Sequence, residues 1–146
     1  MGDHEGLPVR CRRRNPHRTG RPSPFGVGNL AESASFLDQQ NEETGPVTSI
    51  NTFVAPEGKE AEVVAAWTDD AEDMKKSGCL LSVQLYRDIG GNRLFTNVAV
   101  WKSTEHLRAA VAAPEFASHL AGYSAGTVAH PHLYQKFAVE GICEGE

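Results

Sequence analysis

No apolar run in this chain approaches the roughly 18 consecutive residues of a membrane-spanning helix. The N-terminus also lacks the apolar segment of a secretory signal, so a soluble, cytoplasmic protein that does not engage membranes is expected. Cysteine is scarce. Cys11, Cys79 and Cys143 are odd in number, far apart and form no C-x-x-C pair, which argues against a disulfide framework and against a thiolate metal centre. Reduced thiols fit a cytoplasmic setting. The chain also lacks a basic surface outside its first segment. Six of its 14 Lys and Arg residues lie between positions 10 and 21, so the formal charge of −5 belongs to the remainder. A mildly acidic domain is a poor partner for nucleic acid, whose phosphates require positive charge.

What remains is a chain of 146 residues, 40% hydrophobic, long enough for one buried core and too short for two. Residues 1–45 contain Arg12, Arg13 and Arg14, then Pro16, Pro22 and Pro24, with little to bury. That composition predicts a disordered basic arm, with a short helix at 33–40 lying on the domain. Residues 46–146 form the expected folded domain. A first strand is predicted at 47–54, rich in β-branched residues and stopped by Pro56-Glu-Gly. Between 59 and 76, Val63, Val64, Trp67, Ala71 and Met74 make a helical stripe, with acids early, lysines late and Gly78 as a stop.

Strands are predicted at 80–87 and 93–101, linked by Ile-Gly-Gly-Asn, which carries the glycines of a tight hairpin. Ser103 can cap a second helix through Leu107 and Val111, and Pro114 can start a further turn with Phe116 and Leu120. A last strand is predicted at 132–139, after Pro131. The order β-α-β-β-α-β is a ferredoxin-like α+β motif, a four-stranded antiparallel sheet with its helices on one face. In the third strand both phases are apolar: Phe95, Ala99 and Trp101 on one, Leu94, Val98 and Val100 on the other. The chain has no third layer for the second face, so a homodimer is expected.

Two asparagines stand where buried strands usually carry aliphatics, Asn51 and Asn97. A buried amide without hydrogen bonds costs about 1–3 kcal/mol, so each has either a structural partner or a ligand to meet. Asn97 and Trp101 are four apart on a strand and project from the same face. His130 and His132, two apart in an extended segment, could point the same way as metal ligands would, though no carboxylate motif accompanies them.

Asn-Thr-Phe-Val-Ala-Pro-Glu-Gly-Lys at 51–59, Val-Ala-Val-Trp-Lys-Ser-Thr-Glu at 98–105, Pro-Glu-Phe at 114–116 and Pro-His-Leu-Tyr at 131–134 resemble the antibiotic biosynthesis monooxygenase domain, over residues 47–139. The resemblance implies a dimeric α+β barrel. It further implies a monooxygenase that oxidises a planar aromatic, anthrone- or quinol-like substrate with dioxygen and without cofactor. Asn51, Asn97 and Trp101 match the catalytic positions of its anthrone-oxidising members. Phe53, Trp67, Tyr86, Phe95, Phe116, His119 and Tyr123 are expected to contact substrate, and no metal ligand is implied.

Haem-degrading members suggest an alternative, because their ligand histidine falls at Leu120 here, with His119 adjacent. Their tryptophan position falls near Ala110, and the tyrosine of some quinone-forming members is Leu107 in this chain. A member that binds a hydrophobic metabolite without turning it over is a further alternative.

Overall fold

The structure, a computed structural model, describes residues 34–91 and 93–145. The basic stretch ahead of residue 34 lies outside the described residues. The first element is a short helix, α1 (Phe36–Gln39), capped by Ser35, whose Oγ accepts from the Asp38 amide at 3.1 Å. There follow β1 (Val47–Val54), α2 (Glu60–Lys75), β2 (Leu80–Arg87), β3 (Leu94–Trp101), α3 (Thr104–Ala112), α4 (Pro114–Ala121) and β4 (Val128–Tyr134).

The punctuation is chemical. Glu60 and Glu62 sit in the first turn of α2 and Lys75 in its last, where each charge meets the favourable end of the helix dipole. The β2–β3 hairpin turns through Gly90 at φ +101, a conformation open to glycine and strained for other residues. The Ser103 hydroxyl caps α3 by accepting from the His106 amide at 3.2 Å, and Pro114 opens α4, where its missing N–H costs nothing.

The four strands form one antiparallel sheet in the order β2-β3-β1-β4. With β1 and β3 central, this is the ferredoxin-like arrangement expected from the element order. The last strand differs from expectation: it runs through Pro131 and stops at Tyr134, leaving Phe137 and Val139 exposed. Proline is tolerated here because β4 is an edge strand, where one missing donor need not break a ladder.

Register fixes which side chains share the inner face. From one end, its rows are Val47 with Trp101, Ser49 with Ala99, Asn51 with Asn97, and Phe53 with Phe95. The core is correspondingly split in two. Val47, Ala99, Trp101, Leu107 and Leu133 pack at one end, and Phe53, Ala55, Val63 and Phe95 at the other. The asparagine row falls between them.

Residues 34–45 are tied to the domain. The Gln39 side chain donates to the Leu133 carbonyl at 3.0 Å and accepts from the Leu133 amide at 2.8 Å, pairing with the outer edge of β4 as another strand would. Thr44 donates its amide to Thr104 Oγ1 at 3.1 Å. The opposite face of the sheet carries Ile50, Val54, Leu94, Val98 and Val100 around a Thr52–Thr96 hydroxyl pair at 3.1 Å, and among the described residues no helix packs on it.

Candidate functional site

Between the inner face of the sheet and helices α2, α3 and α4 lies a cavity of about 290 Å3. Its origin is local. Ser49 and Ala99 face each other in one row, and their small side chains leave unfilled the space that the larger rows on either side occupy. Trp101 and Leu107, both buried, close one end, and Phe116 and Leu120 contribute a wall from α4.

Asn51 and Asn97 are directly opposed across the β1–β3 pair, and both line the cavity. Opposed residues of an antiparallel pair have Cβ atoms about 4.5–5.5 Å apart, so the two amides can address one ligand atom. The Trp67 indole N–H donates to Asn97 Oδ1 at 3.2 Å. An indole nitrogen can only donate, so its partner must be the amide oxygen, and the Asn97 Nδ2 group is left as a donor. Asn51 Oδ1 is buried without a hydrogen-bond partner. A polar atom left unpaired in a well-formed fold marks a place where the molecule holds unsatisfied binding capacity.

One further polar group reaches the cavity. Asp70 lies one helical turn after Trp67 on α2, lines the same space, and has a buried, unpartnered Oδ1. Burial pushes its carboxyl pKa above the ordinary value, and neighbouring Asp73 adds to this while His119 opposes it. The Tyr123 phenol is likewise pushed up, first by burial and then by the Asp70 charge, so it stays protonated.

Of the residues singled out in the sequence, Asn51, Asn97, Trp101, Trp67 and Phe116 meet at this cavity. Phe53 and Phe95 are on the same face but one row beyond, stacked at 5.7 Å, with Tyr123 edge-on to Phe53 at 6.3 Å. They are core, and they support the asparagine row from behind. Tyr86 projects from the other face and is 57% exposed.

His119 points away from the cavity wall into the groove between α2 and α4, with Nε2 3.3 Å from Asp73 Oδ2, while Leu120 takes the cavity position. The residues therefore do not fit an axial haem ligand. His130 and His132 are in the outward phase of β4, with His132 edge-on to Tyr134 at 5.5 Å. Sequence reasoning missed Asp70, although the spacing Val63, Trp67, Asp70, Met74 places it on the apolar stripe of α2.

The family model described as antibiotic biosynthesis monooxygenase matches residues 46–121, just over half of the chain. No curated protein matches. Among solved structures, SnoaB, a cofactor-independent oxygenase from Streptomyces nogalater, is 22% identical with a TM-score of 0.61, over 67% of this chain and 99% of that one. A proposed monooxygenase from Shewanella loihica PV-4 is 28% identical with a TM-score of 0.56, over 65% and 97%. A proposed antibiotic biosynthesis monooxygenase from Bordetella bronchiseptica is 17% identical with a TM-score of 0.57, over 65% and 100%.

Proposed function

This chain belongs to the antibiotic biosynthesis monooxygenase family, and from that premise we propose that it oxidises a planar aromatic, anthrone- or quinol-like substrate with dioxygen, using no metal, flavin or haem. The observation that carries this reading is the pair of opposed amides, Asn51 and Asn97, set in a cavity whose other walls are mostly apolar and aromatic. The likeness to a cofactor-independent oxygenase supports it.

The chemistry suits such a site. An anthrone carries a CH2 group between two aromatic rings, and loss of a proton there places the electron pair on the ring carbonyl oxygen as well as on carbon. That anion reduces dioxygen directly. The CH2 becomes C=O with one oxygen atom, and the other leaves as water with the two hydrogens, so the substrate supplies all four electrons that reduce dioxygen. Amide donors already in position stabilise the developing oxyanion without the cost of reorganising solvent. The Trp101 ring offers a flat surface against which the aromatic plane is held.

In this reading the working unit is the domain from 46 to 146 with residues 34–45 packed on it, as a cytoplasmic homodimer joined through the sheet face that bears Ile50, Val98 and Val100. Oxygen uptake with dithranol, without added metal or flavin, tests the assignment. Wild type is expected to exceed the buffer rate, and Asn51→Ala or Asn97→Ala to lower turnover by roughly 10²- to 10³-fold, as for loss of one oxyanion donor. Binding of dithranol with no uptake above buffer would make the protein a carrier of such molecules. Equal uptake by wild type and both variants would remove the asparagines from the mechanism.

A further inference from the structure

We propose that Asp70 is the group that ionises the substrate, taking each ring proton and returning it to oxygen. The proposal rests on the anthrone-type reading above and adds the group that reading lacks, since neither amide nor indole can take a proton at neutral pH.

Three features of the structure lead to Asp70. It occupies the cavity-facing stripe of α2, one turn from Trp67, and lines the same cavity as the asparagine row. Its Oδ1 is buried with no hydrogen-bond donor, and a carboxylate oxygen without donors is a stronger base than one already satisfied. It also borders a second space: the groove between α2 and α4, where Asp73, Lys76, Glu115 and His119 gather. Asp70 therefore stands on the wall shared by the cavity and the groove. The upward displacement of its pKa by burial brings the carboxylate nearer to the basicity a general base needs at neutral pH.

The steps balance. Asp70 removes one proton from the ring CH2; the C–H bond breaks, an O–H bond forms on the carboxyl, and the electron pair spreads to the carbonyl oxygen facing the amides. Dioxygen takes the electrons as it bonds to carbon, and the peroxide anion receives the proton back from Asp70. Removal of the second ring proton by the same carboxylate forms C=O as the O–O bond breaks. Hydroxide leaves and is protonated by Asp70 to water.

The titratable and charged groups around Asp70 are Asp73 on α2, Lys76 at its C-cap, His119 and Glu115 on α4, and Tyr123 just after α4; of these, His119 and Asp73 shift its carboxyl. Asp73 raises the carboxyl, and a protonated His119 lowers it.

Oxygen uptake and anaerobic absorbance with dithranol, across a pH series, test the assignment in the full chain. In wild type, bound dithranol is expected to show its anion band at a pH where the free compound is neutral, and turnover to rise through a single inflection. Asp70→Asn should lack both, with turnover lower by roughly 10²- to 10⁴-fold and KM little changed. Asp70→Glu, which keeps a base but moves it, should retain the inflection at a shifted pH, and it decides the matter should the Asn variant fail to fold. An aspartate serving only the fold would leave the anion band and the inflection in place in both variants, and that result overturns the proposal while leaving the anthrone reading intact. Wild type that neither ionises dithranol nor consumes oxygen with it overturns the reading and the proposal together.

Discussion

Asp70 is expected to weaken the fold that holds it. Its carboxyl titrates above its ordinary 3.8 in the folded chain because burial disfavours the charge. Between that value and the raised one the folded state binds more protons than the unfolded state, so stability falls as pH rises through the window and stays lowered above it. Asp70→Asn removes the dependence. Its melting temperature is expected to exceed that of wild type by a few degrees at pH 7 and to converge with it near pH 4; thermal melts at the two pH values check this.

A rise in stability together with a loss of turnover is the signature of a residue kept for chemistry. Trp67 offers a second test on the same scale. Trp67→Phe keeps an aromatic ring but removes the N–H that fixes the Asn97 amide. Turnover should drop about fivefold to tenfold, equivalent to about 1 kcal/mol of lost orientation, in a kcat comparison at matched folding.

At the scale of elements, the small Ser49–Ala99 row makes the void, so filling it should close the site. Ala99→Leu is expected to abolish dithranol binding while changing the melting temperature little, because the added methyl groups enter existing space. The edge of β4 gives a different test. Gln39 occupies both hydrogen-bonding groups of Leu133, so deleting residues 1–33 should leave the melting temperature within a few degrees, whereas deleting 1–40 should lower it markedly.

The strands at 47–54 and 80–87 were legible to the residue, because β-branched and alternating runs there end at proline or glycine. The last strand was not, since Pro131 reads as a breaker until its place at a sheet edge is known. For the site, alternation put Asn51, Asn97 and Trp101 on one face but could not tell the asparagine row from the Phe53–Phe95 row. Which row faces space and which faces a helix depends on where α2 and α4 cross the sheet. Asp70 was hidden by its neighbour, because Asp69-Asp70 reads as a solvated charge pair although only one of the two turns inward.

For the whole molecule, the sheet has one face packed by helices and, among the described residues, an opposite face that bears Ile50, Leu94, Val98 and Val100 without a helix over it. Light scattering at low micromolar concentration is expected to give a dimer, and Val98→Asp, which sets a charge beside Ile50 and Gln84 at the middle of that face, to give a monomer. A monodisperse wild-type monomer would remove this face from the assembly.

The chain contains two tryptophans, Trp67 and Trp101, and both stand on the cavity wall. Its tryptophan emission, excited at wavelengths that tyrosine does not absorb, therefore originates at the site, one indole hydrogen-bonded to Asn97 and the other buried. A quinone product accepts an electron readily from an excited indole, so each cavity that fills goes dark. Occupancy can thus be counted by eye of a fluorimeter in the unlabelled protein, with the substrate and the product distinguished by how strongly each dims the signal.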